Sequence, residues 1–283
     1  MIYTLSKNNY TIQVATLGAE LISLSKCNFN FLWTKSQPFW QRHAPVLFPI
    51  VGKLKDDNYF YNGQQYTLPQ HGFARDSEFE LLEINEKTIT FRLLENVNEN
   101  YPFQFDFFIC YSLDSNGLKT IYRVENKGTS PLPFSVGAHP GFLCPFFENE
   151  KLEDYYFEFE KEEILNRIRL QNGLLTTDIE TIPLTNKKLY LSESLFRHDA
   201  LVLSGLNSKS VALKSEQYTL TLAWDDCTYL GLWKQPLAPF VCIEPWWGVA
   251  DGVIQRQGLE AKRGINWLEP GSTREFWFTI KVG

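Results

Sequence analysis

Apolar and polar residues alternate over short stretches along most of this chain. Thr11–Thr16, Phe79–Ile84, Thr88–Leu94, Phe103–Leu113, Leu118–Glu125, Tyr218–Trp224, Tyr229–Trp233, Phe240–Ile243 and Arg274–Val282 carry that alternation or a short apolar run. They are rich in Phe, Tyr, Val, Ile and Thr. A period of two sends successive side chains to opposite faces, and aromatic and β-branched residues fit a pleated surface. Each run therefore predicts a strand. Turn-forming residues fall between them, at Tyr61-Asn-Gly63, Asp114-Ser-Asn-Gly117, Asn126-Lys-Gly128 and Pro270-Gly271. Helical periodicity is scarce. The segment 18–24 reads as strand given its flanks, and short helical turns are expected near Pro38–His43 and Glu193–Arg197. The acidic segment 148–163 contains the aromatic run Tyr155–Phe159, which predicts order rather than a tail. No Pro/Ser/Gly linker and no repeat divides the chain. The expectation is an all-β protein: one large antiparallel β-sandwich domain over residues 1–283.

Composition narrows the partners. The chain has 283 residues, 44% of them hydrophobic, which is ample for a full core. Its net charge of −6, from 27 basic and 33 acidic residues, argues against nucleic acid and anionic membranes, both of which call for a basic face. No signal-peptide core and no apolar run of about 18 residues is present. Five cysteines are scattered without a C-x-x-C pair. They predict mostly buried, reduced thiols and a cytoplasmic protein.

Candidate chemistry concentrates in a few places. Glu244 lies in Val241-Cys-Ile-Glu-Pro-Trp-Trp-Gly248. A carboxylate after an apolar run, pinned by a proline and two indoles, suits a partly desolvated group at a strand end. Desolvation raises its pKa toward the range of a general base. Flat indole faces suit the apolar face of a sugar ring. The alternative is an exposed glutamate at a strand-to-turn junction. His71 and His139 sit in glycine-flanked segments, 68–76 and 135–142, where a ligand can approach closely. A histidine that only holds a loop carbonyl would fit the same pattern. His43 reads as structural and His198 as a surface or rim residue. No H-x-x-x-H, H-E-x-x-H, G-x-S-x-G or phosphate-loop spacing exists, so neither a metal nor a nucleotide cofactor is expected. Cys242 faces the same side of a strand as Glu244, but no cation is evident to activate it. One of Asp225 and Asp226 would have to join Glu244 in a glycosidase carboxylate pair.

Taken together, Gly52-Lys53-Leu54 with Tyr61-Asn-Gly63, His71-Gly72, Gly137-Ala-His139-Pro-Gly-Phe142, Ile243-Glu244-Pro245 and Leu268-Glu-Pro-Gly271 occur in an order that resembles the aldose 1-epimerase (galactose mutarotase-like) family. Lysine stands at 53 where the family more often has arginine. The intervening sequence is similar to the branch encoded beside lactose and tagatose genes. His71-Gly-Phe-Ala-Arg75 is shared with hexose-6-phosphate mutarotases. The resemblance implies a large β-sandwich that interconverts the α and β anomers of a hexose. Glu244 would be the base, His139 the acid, and His71 a hydrogen-bonding partner of the sugar. Lys53 and Arg75 would grip hydroxyls or a phosphate, and Asp199 would correspond to the family's sugar-binding aspartate. Phe73, Trp246 and Trp247 would form a stacking wall. Ordinary pKa values of about 4.3 and about 6.5 let a carboxylate and a partly protonated imidazole coexist near neutrality. A neighbouring carboxylate would lift the histidine further. A small-molecule sugar is the expected partner of a monomer or homodimer that needs no cofactor. A hexose-6-phosphate mutarotase and a non-catalytic sugar-binding protein are the alternatives.

Overall fold

The computed structural model describes residues 1–94, 98–254 and 257–283. Its two large sheets are antiparallel throughout. The nine-stranded sheet runs, in spatial order, Lys188–Tyr190, Tyr156–Phe159, Ser210–Lys214, Thr219–Trp224, Thr273–Val282, Gly117–Asn126, Phe105–Asp114, Thr88–Leu93 and Phe79–Ile84. The eight-stranded sheet runs Leu174–Ile182, Leu165–Gln171, Leu201–Ser204, Tyr229–Trp233, Phe240–Trp247, Val136–Ala138 and Val46–Leu47. The short strand Gly141–Leu143 pairs beside Phe240–Trp247. A four-stranded sheet covers the N-terminal Ile2–Asn30 region. Every run read as a strand from its alternation lies in one, to within a few residues. The 18–24 segment begins as a turn, and its strand is Leu21–Lys26.

One core fills the space between the sheets. Val241, Ile243 and Trp247 from the eight-stranded sheet enter it with Phe107, Tyr122 and Phe276 from the nine-stranded one. Phe48 stacks on Phe107 with ring centroids 4.2 Å apart, and Trp247 meets Phe276 at 5.3 Å. Offset and edge contacts of this kind add to the burial of large apolar area. Of the two short helical turns expected from sequence, Glu193–Phe196 forms, with Ser192 capping Leu195 N. Residues 38–43 do not form one: they run as turn and bend. Trp40, in that stretch, is drawn instead onto the outer face of the eight-stranded sheet by three aromatic contacts, with Phe240, Trp233 and His139.

Candidate active site

The strand Phe240–Trp247 has two faces with different tasks. Its odd positions 241, 243 and 247 enter the inter-sheet core, while Cys242, Glu244 and Trp246 point to the outer face. Two neighbouring strands leave room there. Gly231 lies opposite Glu244 and Gly137 opposite Trp246. A Cβ on Gly231 would come within 2.5 Å of the Trp246 ring, and one on Gly137 within 2.9 Å. The missing side chains let that indole lie across the sheet beside the carboxylate.

The ladder also delivers His139. Gly137 pairs with Trp246 and Gly141 with Cys242, so the same register on both sides sets residue 139 opposite Glu244. His139 Nε2 lies 3.3 Å from Glu244 Oε2. Its ring stacks on Trp40 at 4.7 Å and meets Trp233 edge-on at 5.6 Å. His71 stands 5.7 Å from His139, ring to ring. It is held by an exchange with Gly52, whose N–H donates to His71 Nδ1 at 3.1 Å while His71 N–H donates to Gly52 O at 2.8 Å. An accepting Nδ1 fixes the neutral ring as the Nε2–H tautomer. The Gln70 amide nitrogen lies 3.3 Å from Nε2, and turning that amide about would bring its oxygen to the ring N–H.

These groups line a cavity of about 320 Å³ with Arg75, Asp199, Trp246, Trp40 and Trp233. That volume sits at the small end of the range of about 300–1,000 Å³ usual for ligand sites. Glu244 is 1% exposed and His139 9%. Glu244 is thus mid-strand and almost wholly desolvated, more so than its sequence context suggests. Burial pushes its pKa well above the ordinary carboxylate value, and Asp199 adds to the rise. Trp246 pulls it down without reversing the direction. Burial drags His139 down to about 3, against its own backbone, and Arg75 and Arg42 add to the fall. The expectation that a neighbouring carboxylate raises this histidine is therefore corrected. Desolvation governs the ring, although the Glu244 carboxyl lies 3.3 Å away. His71 is held well below its ordinary value by burial first, then by His139, Arg75 and Arg42. Burial thus opposes charge on Glu244 and on His139 alike, and favours the neutral form of the ligand-free pair.

The remaining expected residues divide. Arg75 and Asp199 line the cavity. Arg75 donates from Nη2 to Gln70 O at 2.6 Å, and although burial lowers it to about 10 it stays cationic. Asp199 adopts φ +67° and caps Ala200 N. Lys53 does not line the cavity: its ammonium sits 3.8 Å from Asp57 and its stem packs under Gly173. Phe73 turns into the core against Phe48, Tyr101 and Phe105. Trp247 also faces the core, bonded through Nε1 to Asp225 at 3.0 Å. Of the three proposed stacking residues only Trp246 lines the site. Asp225 is thereby committed to Trp247, and Asp226 to Lys209 at the surface. The aromatic walls Trp40 and Trp233 were missed. Trp233 had a signal, since it shares the alternation of its strand with Gly231.

The aldose 1-epimerase family model matches residues 1–265. The plasmid-encoded protein LacX of Lactococcus lactis subsp. lactis is 36% identical, covering 98% of each chain. A galactose mutarotase related enzyme from Lactobacillus acidophilus superposes with a TM-score of 0.95 at 36% identity, covering 100% of this chain and 97% of that one. A galactose mutarotase-like protein from Lactobacillus casei gives a TM-score of 0.93 at 28% identity, over 100% of both. With the sandwich and the site in place, these likenesses show that the chain belongs to the aldose 1-epimerase family.

Proposed function

We propose that the protein is an aldose 1-epimerase acting on an unphosphorylated hexose. The observation that carries this reading is the His139–Glu244 pair, 3.3 Å apart in the wall of a sugar-sized cavity. Sugar hydroxyls entering the cavity restore to Glu244 the hydrogen bonds that burial removed, which lowers its pKa and passes the proton to His139. The carboxylate then takes the proton from O1 while the imidazolium protonates the ring oxygen. The C1–O5 bond breaks and the aldehyde forms. Rotation about C1–C2 presents the other carbonyl face, and reclosure returns both protons. His71, as the neutral Nε2–H tautomer, offers that N–H to a sugar oxygen in place of the Gln70 side chain. The two catalytic groups exchange roles and no proton is consumed. A protein that only binds sugar needs aromatic walls, but has no use for an apposed acid and base.

The charges disfavour a phosphate. Arg75 already donates to a carbonyl and lies 3.6 Å from Asp76. Arg42 is paired with Asp76 at 2.8 Å, and Lys53 lies outside the cavity. Asp199 and Glu244 supply two carboxyl groups to the same space. The test follows the optical rotation of freshly dissolved glucose and galactose, and of their 6-phosphates. Faster mutarotation of the free sugars is expected, and a strong preference for the phosphates would overturn the substrate. Glu244→Gln should keep sugar binding and lose about 10²–10⁴-fold in rate. A variant at the wild-type rate would remove the assignment of the base.

A further inference from the structure

We infer that His139, Cys242 and Glu244 form a site for a thiophilic divalent cation such as Zn²⁺, and that the bound cation shuts the sugar cavity. Cys242 and Glu244 lie on the strand Phe240–Trp247, and His139 lies in the short link between its neighbours Val136–Ala138 and Gly141–Leu143. Cys242 and Glu244 are two apart on one face, and His139 lies opposite Glu244. One donor atom from each falls within 4.8 Å of the other two. Zinc bonds of about 2.0–2.3 Å at tetrahedral angles set neighbouring donors roughly 3.3–3.7 Å apart. The His139–Glu244 separation of 3.3 Å already meets this.

A second observation points the same way. Glu244 Oε2 is buried and, apart from its 3.3 Å approach to His139 Nε2, has no polar partner among the described residues. A buried carboxyl oxygen with so few partners is costly, and a cation satisfies it. Charge closes the argument. A neutral imidazole, a carboxylate and a thiolate carry two negative charges, so Zn²⁺ leaves the dry pocket neutral. Coordination by a cation removes the thiol proton. Cys242 sits behind the cavity wall, whereas His139 and Glu244 line it. The fourth zinc position therefore opens toward the cavity. An imidazole–thiolate–carboxylate set suits zinc and is poor for the oxygen-seeking Mg²⁺.

The cation site stands without the sugar reading; only its inhibitory consequence rests on the proposed mutarotation. Direct binding is measured first, on the full chain stripped with a chelator. Co²⁺ should give the visible bands of a tetrahedral ion with a near-ultraviolet thiolate charge-transfer band, and Zn²⁺ should erase both. Cys242→Ser should lose the charge-transfer band and about 10²-fold or more in zinc affinity, since even indirect partners of a metal contribute 10–100-fold. Cys227→Ser should retain both. If Cys242→Ser fails to fold, the wild-type cobalt spectrum still reports whether sulfur is a ligand. A cobalt spectrum without the thiolate band, or equal zinc affinity in Cys242→Ser, overturns the site. In the activity arm, Zn²⁺ but not Mg²⁺ should slow mutarotation in competition with sugar, and a chelator should reverse it. Tight zinc binding that leaves the rate untouched overturns the inhibition. Zinc binding by a chain that never speeds mutarotation keeps the site and rejects the sugar reading.

Discussion

Glu244 shows how far one residue can be read from its neighbours. A short apolar run before it and Pro-Trp-Trp after it suggest a desolvated carboxyl next to an indole, and the two histidine segments weigh against the exposed alternative. His71 and His139 are equally legible, because each lies in a short glycine-flanked segment of the family pattern. Lys53 and Phe73 are not legible in that way. Their directions depend on Asp57 and on the Phe48–Tyr101–Phe105 cluster, which no local pattern reveals. The electrostatics at residue scale give a prediction that needs no substrate. The folded-state pKa of Glu244 is raised, so the native state holds its proton where the unfolded chain has released it. Stability therefore falls as pH rises from about 4.3, the ordinary value in the unfolded chain, toward the raised folded value. Glu244→Gln removes that loss. Thermal melts at pH 7–8 should show a higher Tm for the variant, and the difference should shrink toward pH 4. Each kcal/mol relieved raises Tm by roughly 2–4 °C in a chain of this size. A Tm gain independent of pH would mean that packing, not the buried carboxyl, is the cause.

At the scale of elements, alternation located the strands well, because one face of each is committed to the core. The 38–43 segment was misread because what fixes it is a long-range stack of Trp40 on His139. The turn that carries Asp199 shows a similar dependence. Arg167, on the strand Leu165–Gln171, is 4% exposed and donates from Nη2 to the carbonyls of His198, at 2.6 Å, and Asp199, at 3.2 Å. These bonds hold a left-handed Asp199 at the cavity edge. Arg167 is not among the residues that line the cavity, and it acts by positioning. Arg167→Met should raise KM by ~10-fold, the equivalent of about 1.4 kcal/mol, and leave kcat near the wild-type value. The reason is that Glu244 sits on another strand and His139 in the link that follows Val136–Ala138. Steady-state polarimetry separates the two parameters. A fall in kcat with KM spared would show that the turn serves the chemical step instead.

Across the whole molecule, the cavity is walled by segments far apart in sequence, and one buried ion pair ties several together. Asp251 Oδ1 meets Lys262 Nζ at 2.7 Å, and Asp251 Oδ2 accepts from Lys55 N at 3.0 Å. Lys262 also donates to Val249 O at 2.8 Å. The Asp251 backbone bonds Lys53 O through its N–H and accepts from Leu175 N. Gly52, Leu175, Val249 and Ala250, which line the cavity, are thereby fastened to one another. Both partners are nearly inaccessible, at 2% and 4% exposure. Removing one leaves a buried charge alone, which costs about 3–5 kcal/mol. Replacing both by apolar residues of similar volume is often close to neutral. Lys262→Met should therefore lower Tm by roughly 10 °C. Asp251→Leu combined with Lys262→Met should recover most of that loss. The double variant still lacks the side-chain anchors to Lys55 N and Val249 O, so its sugar affinity should stay weak while its stability returns. Melting curves and sugar titrations on the same three proteins separate the effects. If affinity recovered together with Tm, the pair would serve the fold alone, and the shape of the cavity would be set by the strands beneath it.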